Sequence, residues 1–175
     1  MDEIREEPTF RAYRDFFWRV GIDPTKTRPA AEALTRRIVG GRELPTINTF
    51  VDSYNLASVS TSTAIAAFNL DSISDGDELF MRKARPAESF RGIGMNSEIL
   101  LDGREVVIED ERRHGLIAIY PYRDSDDSRV TLQTKRALLM MCGVPNLPLA
   151  NLEEAAKLSR ELLERFCAAS FSERS

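Results

Sequence analysis

The segment from residue 48 to residue 63 concentrates short polar side chains that suit hydrolysis without a covalent nucleophile. Asn48 is placed to cap a helix, and Asp52 and Asn55 follow at a spacing of three residues that makes them neighbours on one helix face. Ser58, Thr61 and Thr63 continue the series. Such amides and hydroxyls can position water and donate hydrogen bonds to a developing oxyanion. Asn48 and Asp52 could instead only satisfy backbone groups at a helix start, and both interpretations stay open.

Other kinds of chemistry find little support in the residue types. The single histidine, His114, lies in a charged turn and has no neighbour at metal-ligand spacing. Cys142 and Cys167 fall in or beside segments that are predicted to be helical, where a free cysteine is usually a small buried hydrophobe. The run Gly92-Ile93-Gly94 lacks the third glycine and the following helix of a nucleotide-binding loop. We therefore expect neither a metal site nor a cofactor.

Three acidic residues lie within the segment Arg123–Asp127, which ends a predicted strand and precedes a predicted helix. Carboxylates at a helix N-terminus accept hydrogen bonds from its N–H groups and interact favourably with its dipole. Three neighbouring carboxylates can also hold magnesium. The spacing does not distinguish these two uses.

The formal net charge of −4 means that bulk attraction cannot bring a polyanion to this protein. Any nucleic-acid contact must therefore be local. Two segments are rich enough in basic residues to provide one, although such a segment is more often only a solvated face. They contain Arg36, Arg37 and Arg42, and Arg82, Lys83, Arg85 and Arg91.

Helical periodicity appears at both ends of the chain. Apolar residues at spacings of three and four predict a helix over Pro8–Val20, and Pro29 at a first helical position with the Gly40-Gly41 stop predicts a second, exposing Arg36 and Arg37. A third helix begins after Asn48. The predicted C-terminal helices are Val130–Met141 and residues 151 to about 169, the latter capped by Asn151 with Leu152, Ala155, Leu158, Leu162 and Phe166 on its buried side.

Short apolar runs between turn signals predict strands in the middle of the chain. Asp102-Gly103 between two of them indicates a hairpin, because the favoured two-residue turn requires positive φ at both positions. Helices, then strands, then helices predict an α+β fold. We expect a central antiparallel, barrel-like sheet flanked by N-terminal and C-terminal helices, in a single domain over residues 1–175. The predicted strands are Ala64–Phe68, Leu79–Met81, Ile99–Leu101, Val106–Ile108 and Leu116–Tyr120.

The sequence offers no apolar stretch approaching the roughly 20 residues that span a bilayer. Its start, Met1–Glu7, is acidic where a secretory signal is basic. We therefore expect a cytoplasmic protein without a membrane partner.

The order and spacing of many short motifs resemble the editing domain of the phenylalanyl-tRNA synthetase beta subunit and its stand-alone relatives. The likeness covers about residues 10 to 145, and no single motif carries it. The matching motifs are Gly21–Pro24, Thr27–Leu34, Arg36–Gly40, Leu44-Pro45, Ile47-Asn48, Val51-Asp52, Tyr54–Leu56, Ala67–Asp71, Arg82–Ala84, Glu88, Gly92–Gly94, Tyr120–Asp126, Val130-Thr131 and Thr134.

In that family the domain hydrolyses the ester of a misactivated amino acid on tRNA, chiefly tyrosine on the phenylalanine tRNA. The resemblance implies that Asn55, the asparagine of the Val-Asp-x-x-Asn signature, lies at the editing pocket, with Asp52 as its acidic member. We take these two as the catalytic residues. The expected partner is the aminoacylated 3′ end of tRNA, with a synthetase as a further candidate. The substrate-binding candidates are Asn48, Ser58, Thr61, Thr63, Glu88, Gly94, Arg123 and Asp124.

Two departures from the family pattern bear on the substrate. Ala66 occupies the position where synthetase domains commonly have a histidine, and Met140 occupies that of the glutamate associated with reading the tyrosine hydroxyl. The resemblance therefore implies a trans-acting aminoacyl-tRNA deacylase of altered amino-acid specificity. The alternatives are a non-catalytic tRNA-binding, RNA-binding or protein-interaction module, and hydrolysis of a small amino-acid ester or amide unrelated to tRNA.

Overall fold

Helices precede and follow a group of strands, which confirms the predicted α+β class with antiparallel sheets. The computed structural model describes residues 2–73 and 79–172. The α-helices are α1 (Asp2–Glu6), α2 (Pro8–Arg19), α3 (Ala30–Val39), α4 (Thr49–Thr61) and α5 (Leu149–Cys167). The strands are β1 (Ile65–Asn69), β2 (Leu79–Lys83), β3 (Ser89–Phe90), β4 (Ile99–Leu100), β5 (Val106–Asp110), β6 (Gly115–Tyr120), β7 (Arg123–Asp124) and β8 (Ala137–Met141).

The chain divides into two compact units. The helical unit comprises residues 1–14, 28–65 and 141–175, and the sheet unit comprises residues 15–27 and 66–140. That residues 1–175 act as a single domain stays a prediction, as does the flanking of the sheet by helices.

The helical unit is built by α4 packing along α5 and contacting α3. α5 buries Ala155, Ser159 and Leu163, which follow one another at a spacing of four and so share one helix face. The predicted buried side of α5 is right at Ala155 and wrong at Phe166, which is 52% exposed. α5 also begins before Asn151, whose amide donates to Oγ1 of Thr9 at 3.3 Å, so the predicted Asn151 cap is wrong.

α3 carries charge on its buried face, contrary to the apolar pattern of its sequence. Glu32 is fully buried and pairs with Arg14 at 3.1 Å and with Arg36 at 2.7 Å. Arg36 is therefore drawn inward, whereas we expected it on the exposed face. Val39, an apolar residue at the end of the same helix, is 61% exposed. Pro29 is the N-cap of α3 and not its first residue.

Tyr13 joins three segments of the helical unit through its hydroxyl group. The Tyr13 hydroxyl donates to the carbonyl of Cys142 at 2.6 Å and accepts from the N–H of Ala64 at 3.0 Å, and the Tyr13 side chain is fully buried. Burial raises the pKa of this phenol well above its usual range. The hydroxyl is therefore neutral and able to donate at any ordinary pH.

Tyr13→Phe should lower the free energy of unfolding by about 1 to 3 kcal/mol, because the Ala64 N–H would be left without its buried acceptor, which water cannot replace. Urea denaturation of the variant measures the decrease. Tyr122→Phe is a matched control, since Tyr122 is only partly buried and its hydroxyl makes no hydrogen bond within the described residues. Equal stability of the Tyr13 and Tyr122 variants would contradict the assigned role.

The sheet unit contains a four-stranded antiparallel sheet in the order β2-β5-β6-β7. Its two edges are different strands, so the sheet is not closed and the barrel-like closure is not confirmed. β3 pairs with β4, and β1 pairs with β8. Apolar side chains on three of these strands, and on the residues that directly follow β2 and β4, form one core cluster. Its members are Ala84, Phe90, Leu101, Val107 and Ile119.

Two predictions about the middle of the chain are wrong. Asp102-Gly103 makes a local turn, with Gly103 at φ +91°, but the strands beside it pair elsewhere: β4 with β3, and β5 with β2 and β6. A turn signal does not specify which strands pair. The helix predicted over Val130–Met141 is absent, and Ala137–Met141 forms strand β8. A short continuous apolar run fits a buried strand as well as a helix.

Candidate functional site

The N-terminal end of α4 uses Asn48 and Asp52 to satisfy backbone N–H groups. Oδ1 of Asn48 accepts from the N–H of Val51 at 2.9 Å, and Oδ1 of Asp52 accepts from the N–H of Ile47 at 2.9 Å. The first N–H groups of a helix lack partners within it, so the Asn48 cap contributes about 1 kcal/mol of stability. Both side chains thus have the structural role that the sequence left open. Their catalytic and substrate-binding assignments stay predictions.

The C-terminal end of α4 occupies three more of the polar residues in the same way. The hydroxyl of Ser58 donates to the carbonyl of Thr63 at 2.7 Å, and that of Thr61 donates to the carbonyl of Ala57 at 2.9 Å. The Thr63 hydroxyl donates to the carbonyl of Thr61 at 3.1 Å. Ser58, Thr61 and Thr63 are all buried. Their hydrogen bonds fix the end of α4 and the turn that follows it.

Asn55 differs from the rest of this polar series. It is half-buried, and its amide has no hydrogen-bond partner among residues 2–73 and 79–172. Asp52, three residues before it, and Val59, four residues after it, are half-buried as well, so Asn55 lies along the border of the buried face. Because both ends of α4 are fixed, the helix presents the Asn55 amide from a rigid position.

Glu88, in the sheet unit, belongs to an ion-pair network. Arg82 contacts Glu88 at 2.6 Å and Glu109 at 2.6 Å, and the N–H of Arg85 donates to Glu88 at 2.8 Å. The hydrogen bond from Arg82 holds the pKa of Glu88 below its usual range. The Glu88 carboxylate therefore fixes the segment between β2 and β3. Its predicted role in substrate binding is untested.

Gly94 lies in the loop between β3 and β4, and Arg123 on β7 packs closely against that loop. Gly94 has φ +77°, in the region that favours glycine. The stem of Arg123 covers Gly92 so closely that a Cβ there would come within 2.3 Å of Arg123 Cδ. The guanidinium group of Arg123 donates to the carbonyl of Ile93 at 3.1 Å and stacks over Tyr122. The glycines thus allow Arg123 to hold this loop in place.

Asp124 is the acidic side chain of the predicted site with the most perturbed environment. It lies on β7 opposite Ala118 and is partly buried. Burial raises the pKa of Asp124 to about 7, while the backbone N–H of Ala67 lowers it by a smaller amount. A carboxyl group with a pKa in this range can exchange a proton near neutral pH.

The free energy of unfolding of the wild type should decrease as pH rises, and Asp124→Asn should abolish this decrease. An unfolded aspartate ionises near pH ~4, whereas folded Asp124 keeps its proton up to about pH 7. The folded state therefore binds more protons between these values, so stability falls as pH rises through them, by roughly 1.4 kcal/mol per pH unit. Urea denaturation at several pH values measures the difference between variant and wild type. The control is Asp127→Asn, which changes an exposed carboxylate and should lose stability with rising pH as the wild type does. An equal dependence of stability on pH in Asp124→Asn and wild type would contradict the raised pKa of Asp124.

The cap in the segment Arg123–Asp127 is a serine hydroxyl and not one of the carboxylates. Ser125 is the N-cap of a 3₁₀ helix over Asp126–Ser128, and its hydroxyl oxygen accepts from the N–H of Asp127 at 3.3 Å. No group of three or more histidine, cysteine or acidic side chains suited to a metal ion occurs among the described residues. Magnesium binding by this run therefore gains no support.

A cavity of about 290 Å³ lies in the sheet unit, at the small end of the range for ligand pockets. Phe90, Leu116 and Ile117 provide apolar walls, and Asp110 and Ser128 are among the polar ones. The sequence does not single these residues out. Asp110 is 1% exposed, yet it belongs to an acidic run that predicts a solvated turn. Glu88, Gly94, Arg123 and Asp124 are not among the lining residues.

Of the remaining candidates, His114 and Cys142 have the predicted exposure and burial, although Cys142 follows strand β8 and not a helix, and Cys167 is only partly buried. His114 is exposed in the turn between β5 and β6, and Cys142 is buried. None of the helices formed by the described part of the chain has the length and apolar character needed to cross a membrane.

The chain is similar to one protein family in sequence and to a solved structure in fold. A model of the B3/4 domain family matches residues 12–169. Among solved structures, the chain is similar to an N-terminal fragment of the phenylalanyl-tRNA synthetase beta subunit from Pyrococcus horikoshii, with a TM-score of 0.55 and 16% identity. The match covers 67% of this chain and 40% of the fragment, so the chain spans two fifths of that fragment's length. At this identity the likeness shows the fold alone. No curated protein matches the sequence significantly.

Proposed function

The chain belongs to the B3/4 domain family, and from this premise we propose that it is a trans-acting aminoacyl-tRNA deacylase. Its substrate would be a tRNA that carries the wrong amino acid as an ester at its 3′ end. The B3/4 domain is found in the phenylalanyl-tRNA synthetase beta subunit, which supports tRNA as the partner and a synthetase as a further one.

The observation that carries the proposal is the state of Asn55. Of the polar side chains between residues 48 and 63 that the sequence selects, Asn55 has its amide without a hydrogen-bond partner in the described structure. A half-buried amide on a rigid helix is placed to donate to a ligand, because its position is fixed before the ligand arrives.

The chemistry required of such a group is modest. Water attacks the ester carbonyl and gives up a proton, and the carbonyl oxygen becomes an oxyanion. Collapse of the tetrahedral intermediate breaks the bond to the tRNA oxygen, which takes up a proton, and releases the free amino acid and the tRNA hydroxyl. The ester is already activated, so no covalent enzyme intermediate is needed. The N–H of Asn55 donates to the oxyanion, a contribution that is typically worth about 10²–10³ in rate for one donor.

Asp52 and Asn48 then contribute by holding α4. Asp52 lies three residues before Asn55 on the same face and fixes the segment before the helix through the N–H of Ile47. We propose Asp52 as a positioning residue for the Asn55 amide. Ser58, Thr61 and Thr63 act in the same way at the other end of α4. Glu88, Gly94, Arg123 and Asp124 remain proposed substrate-binding residues.

The amino acid removed should differ from tyrosine. Ala66 and Met140 both lie in strands and offer no ionisable or hydrogen-bonding side chain at the positions where the family pattern has a histidine and a glutamate. Without a carboxylate to accept a phenolic hydroxyl, a site discriminates poorly in favour of tyrosine. We therefore propose a smaller or more apolar amino acid as the substrate.

The test is release of amino acid from a panel of mischarged tRNAs incubated with the pure protein. We expect release above the spontaneous rate for at least one apolar amino acid, and little for tyrosine. The same amino acids as ethyl esters are included, and activity on these without RNA would identify a small-ester hydrolase. Spontaneous rates throughout the panel would reject the deacylase.

A second candidate function, a non-catalytic tRNA-binding or RNA-binding module, is favoured by a separate observation. The side chains of Asn48, Asp52, Ser58 and Thr61 are all engaged in bonds that stabilise α4, which leaves few groups for catalysis. Such a module binds mischarged and uncharged tRNA equally and protects the ester from spontaneous hydrolysis. A slower release than in buffer alone would therefore identify it.

A further inference from the structure

The two arginine-rich segments of the sequence differ in how far their charge is neutralised. In the sheet unit, Arg82 and Arg85 both pair with the carboxylates of Glu88 and Glu109. Arg91 in the same segment contacts Asp126 at 3.5 Å and Asp127 at 3.3 Å. Each of these arginines therefore has neighbouring carboxylates that offset its charge.

The segment at the end of α3 has a different local structure. The N–H of Arg42 donates to the carbonyl of Arg37 at 3.0 Å, and the N–H of Gly41 donates to that of Ile38 at 2.8 Å. Gly41 has φ +75°. This pair of bonds around a glycine in the left-handed region is a Schellman motif, which usually brings two apolar side chains into contact. Here the two positions that the motif brings together are Arg37 and Arg42.

Neither arginine has a carboxylate partner among residues 2–73 and 79–172. Arg37 donates from Nε to the backbone carbonyl of Glu43, which leaves its terminal nitrogens available, and both side chains are exposed. The negative end of the α3 dipole favours cations at this place, which stabilises each charge but consumes neither guanidinium group. Arg36 nearby is turned inward to Glu32.

We propose that Arg37 and Arg42 form a two-point contact for neighbouring phosphate groups of RNA. A guanidinium group presents a planar fork that matches phosphate oxygens, and two forks at one helix end suit consecutive phosphates of a nucleic-acid strand. In a protein of net charge −4, such a local pair is what allows a polyanion to approach. The identification of the RNA as tRNA rests on the proposed function. The binding of RNA phosphates by this surface is independent of that function.

The experiment measures the binding of uncharged tRNA by fluorescence anisotropy over a series of salt concentrations. Removing one arginine–phosphate interaction reduces the magnitude of the slope of log K against log salt by about 0.7 to 0.9. Arg37→Gln/Arg42→Gln should therefore flatten the slope by about 1.5 units. Glutamine at position 42 keeps the backbone N–H of the motif, so the fold is retained. Arg85→Gln/Arg91→Gln is the matched control, which removes equal charge from the neutralised segment and should leave the slope unchanged.

The proposal would be overturned if Arg37→Gln/Arg42→Gln had the same slope as the wild type. It would also be overturned if the control variant flattened the slope equally, or if the wild type did not bind tRNA. Displacement of the tRNA by polyglutamate at equal charge concentration would also overturn it, in favour of an acidic protein partner. Uncharged tRNA has no ester to cleave. A flattened slope without any deacylation therefore supports the proposed RNA-binding surface while rejecting the deacylase.

Discussion

Asn55→Ala is expected to lower the rate of deacylation by about 10²–10³, because removal of one oxyanion donor typically costs roughly 3 to 4 kcal/mol of transition-state stabilisation. The decrease should appear in kcat more than in KM, since the hydrogen bond strengthens as the oxyanion forms. Single-turnover release of amino acid from the mischarged tRNA that responds in the panel measures it.

Two further variants separate this effect from a change in α4. Alanine is a better helix former than asparagine, so Asn55→Ala should melt at the wild-type temperature or slightly above it. Ser60→Ala changes an exposed residue of the same helix and should keep full activity. Asn55→Asp keeps the shape and removes the N–H donor, so it should be as inactive as the alanine variant. An active Asn55→Ala protein would show that the amide has no part in the reaction.

Glu32→Ala is expected to lower the free energy of unfolding by about 3 to 5 kcal/mol. Glu32 is fully buried and is the shared partner of Arg14 and Arg36, whose side chains are each 17% exposed. Removing the carboxylate takes away the buried counter-charge that these two largely buried guanidinium groups share. Urea denaturation of wild type and variant at the same pH and salt concentration measures the decrease.

The triple variant Arg14→Met/Glu32→Leu/Arg36→Leu provides the control. Replacing a whole buried ion group by apolar side chains of similar volume is often neutral or stabilising, so the triple variant should recover most of the stability that Glu32→Ala loses. A decrease of less than about 1 kcal/mol in Glu32→Ala would instead mean that solvent screens these pairs as it does at a surface.

Local signals in the sequence predict most elements of the fold, and non-local pairing accounts for the errors. The Asn48 cap and the apolar spacing of α2 are encoded within a few residues, and the structure confirms them. The pairing of β5 with β2, and of β8 with β1, depends on residues far apart in sequence. No local pattern around Asp102-Gly103 or Val130–Met141 contains that information, which is why the hairpin and the helix predicted there are wrong.

The candidate site shows the same division. Residue type and spacing correctly indicate a polar series along α4, but they cannot distinguish a side chain that caps a helix from one that meets a ligand. That distinction depends on which backbone groups lack partners, as at Ile47 for Asp52 and at Thr63 for Ser58. Likewise, the sequence predicts Arg36 on the exposed face of α3, and only the packing of α3 turns it inward to Glu32.

The most direct test of the central claim is whether the Asn55 amide meets the aminoacyl end of tRNA. An adenosine that carries the responding amino acid through a 3′ amide cannot be hydrolysed and can be titrated into ¹⁵N-labelled protein. The side-chain amide resonance of Asn55 should shift at saturation more than those of Asn48 and Asn151. An unchanged Asn55 resonance in the presence of bound ligand would contradict the account.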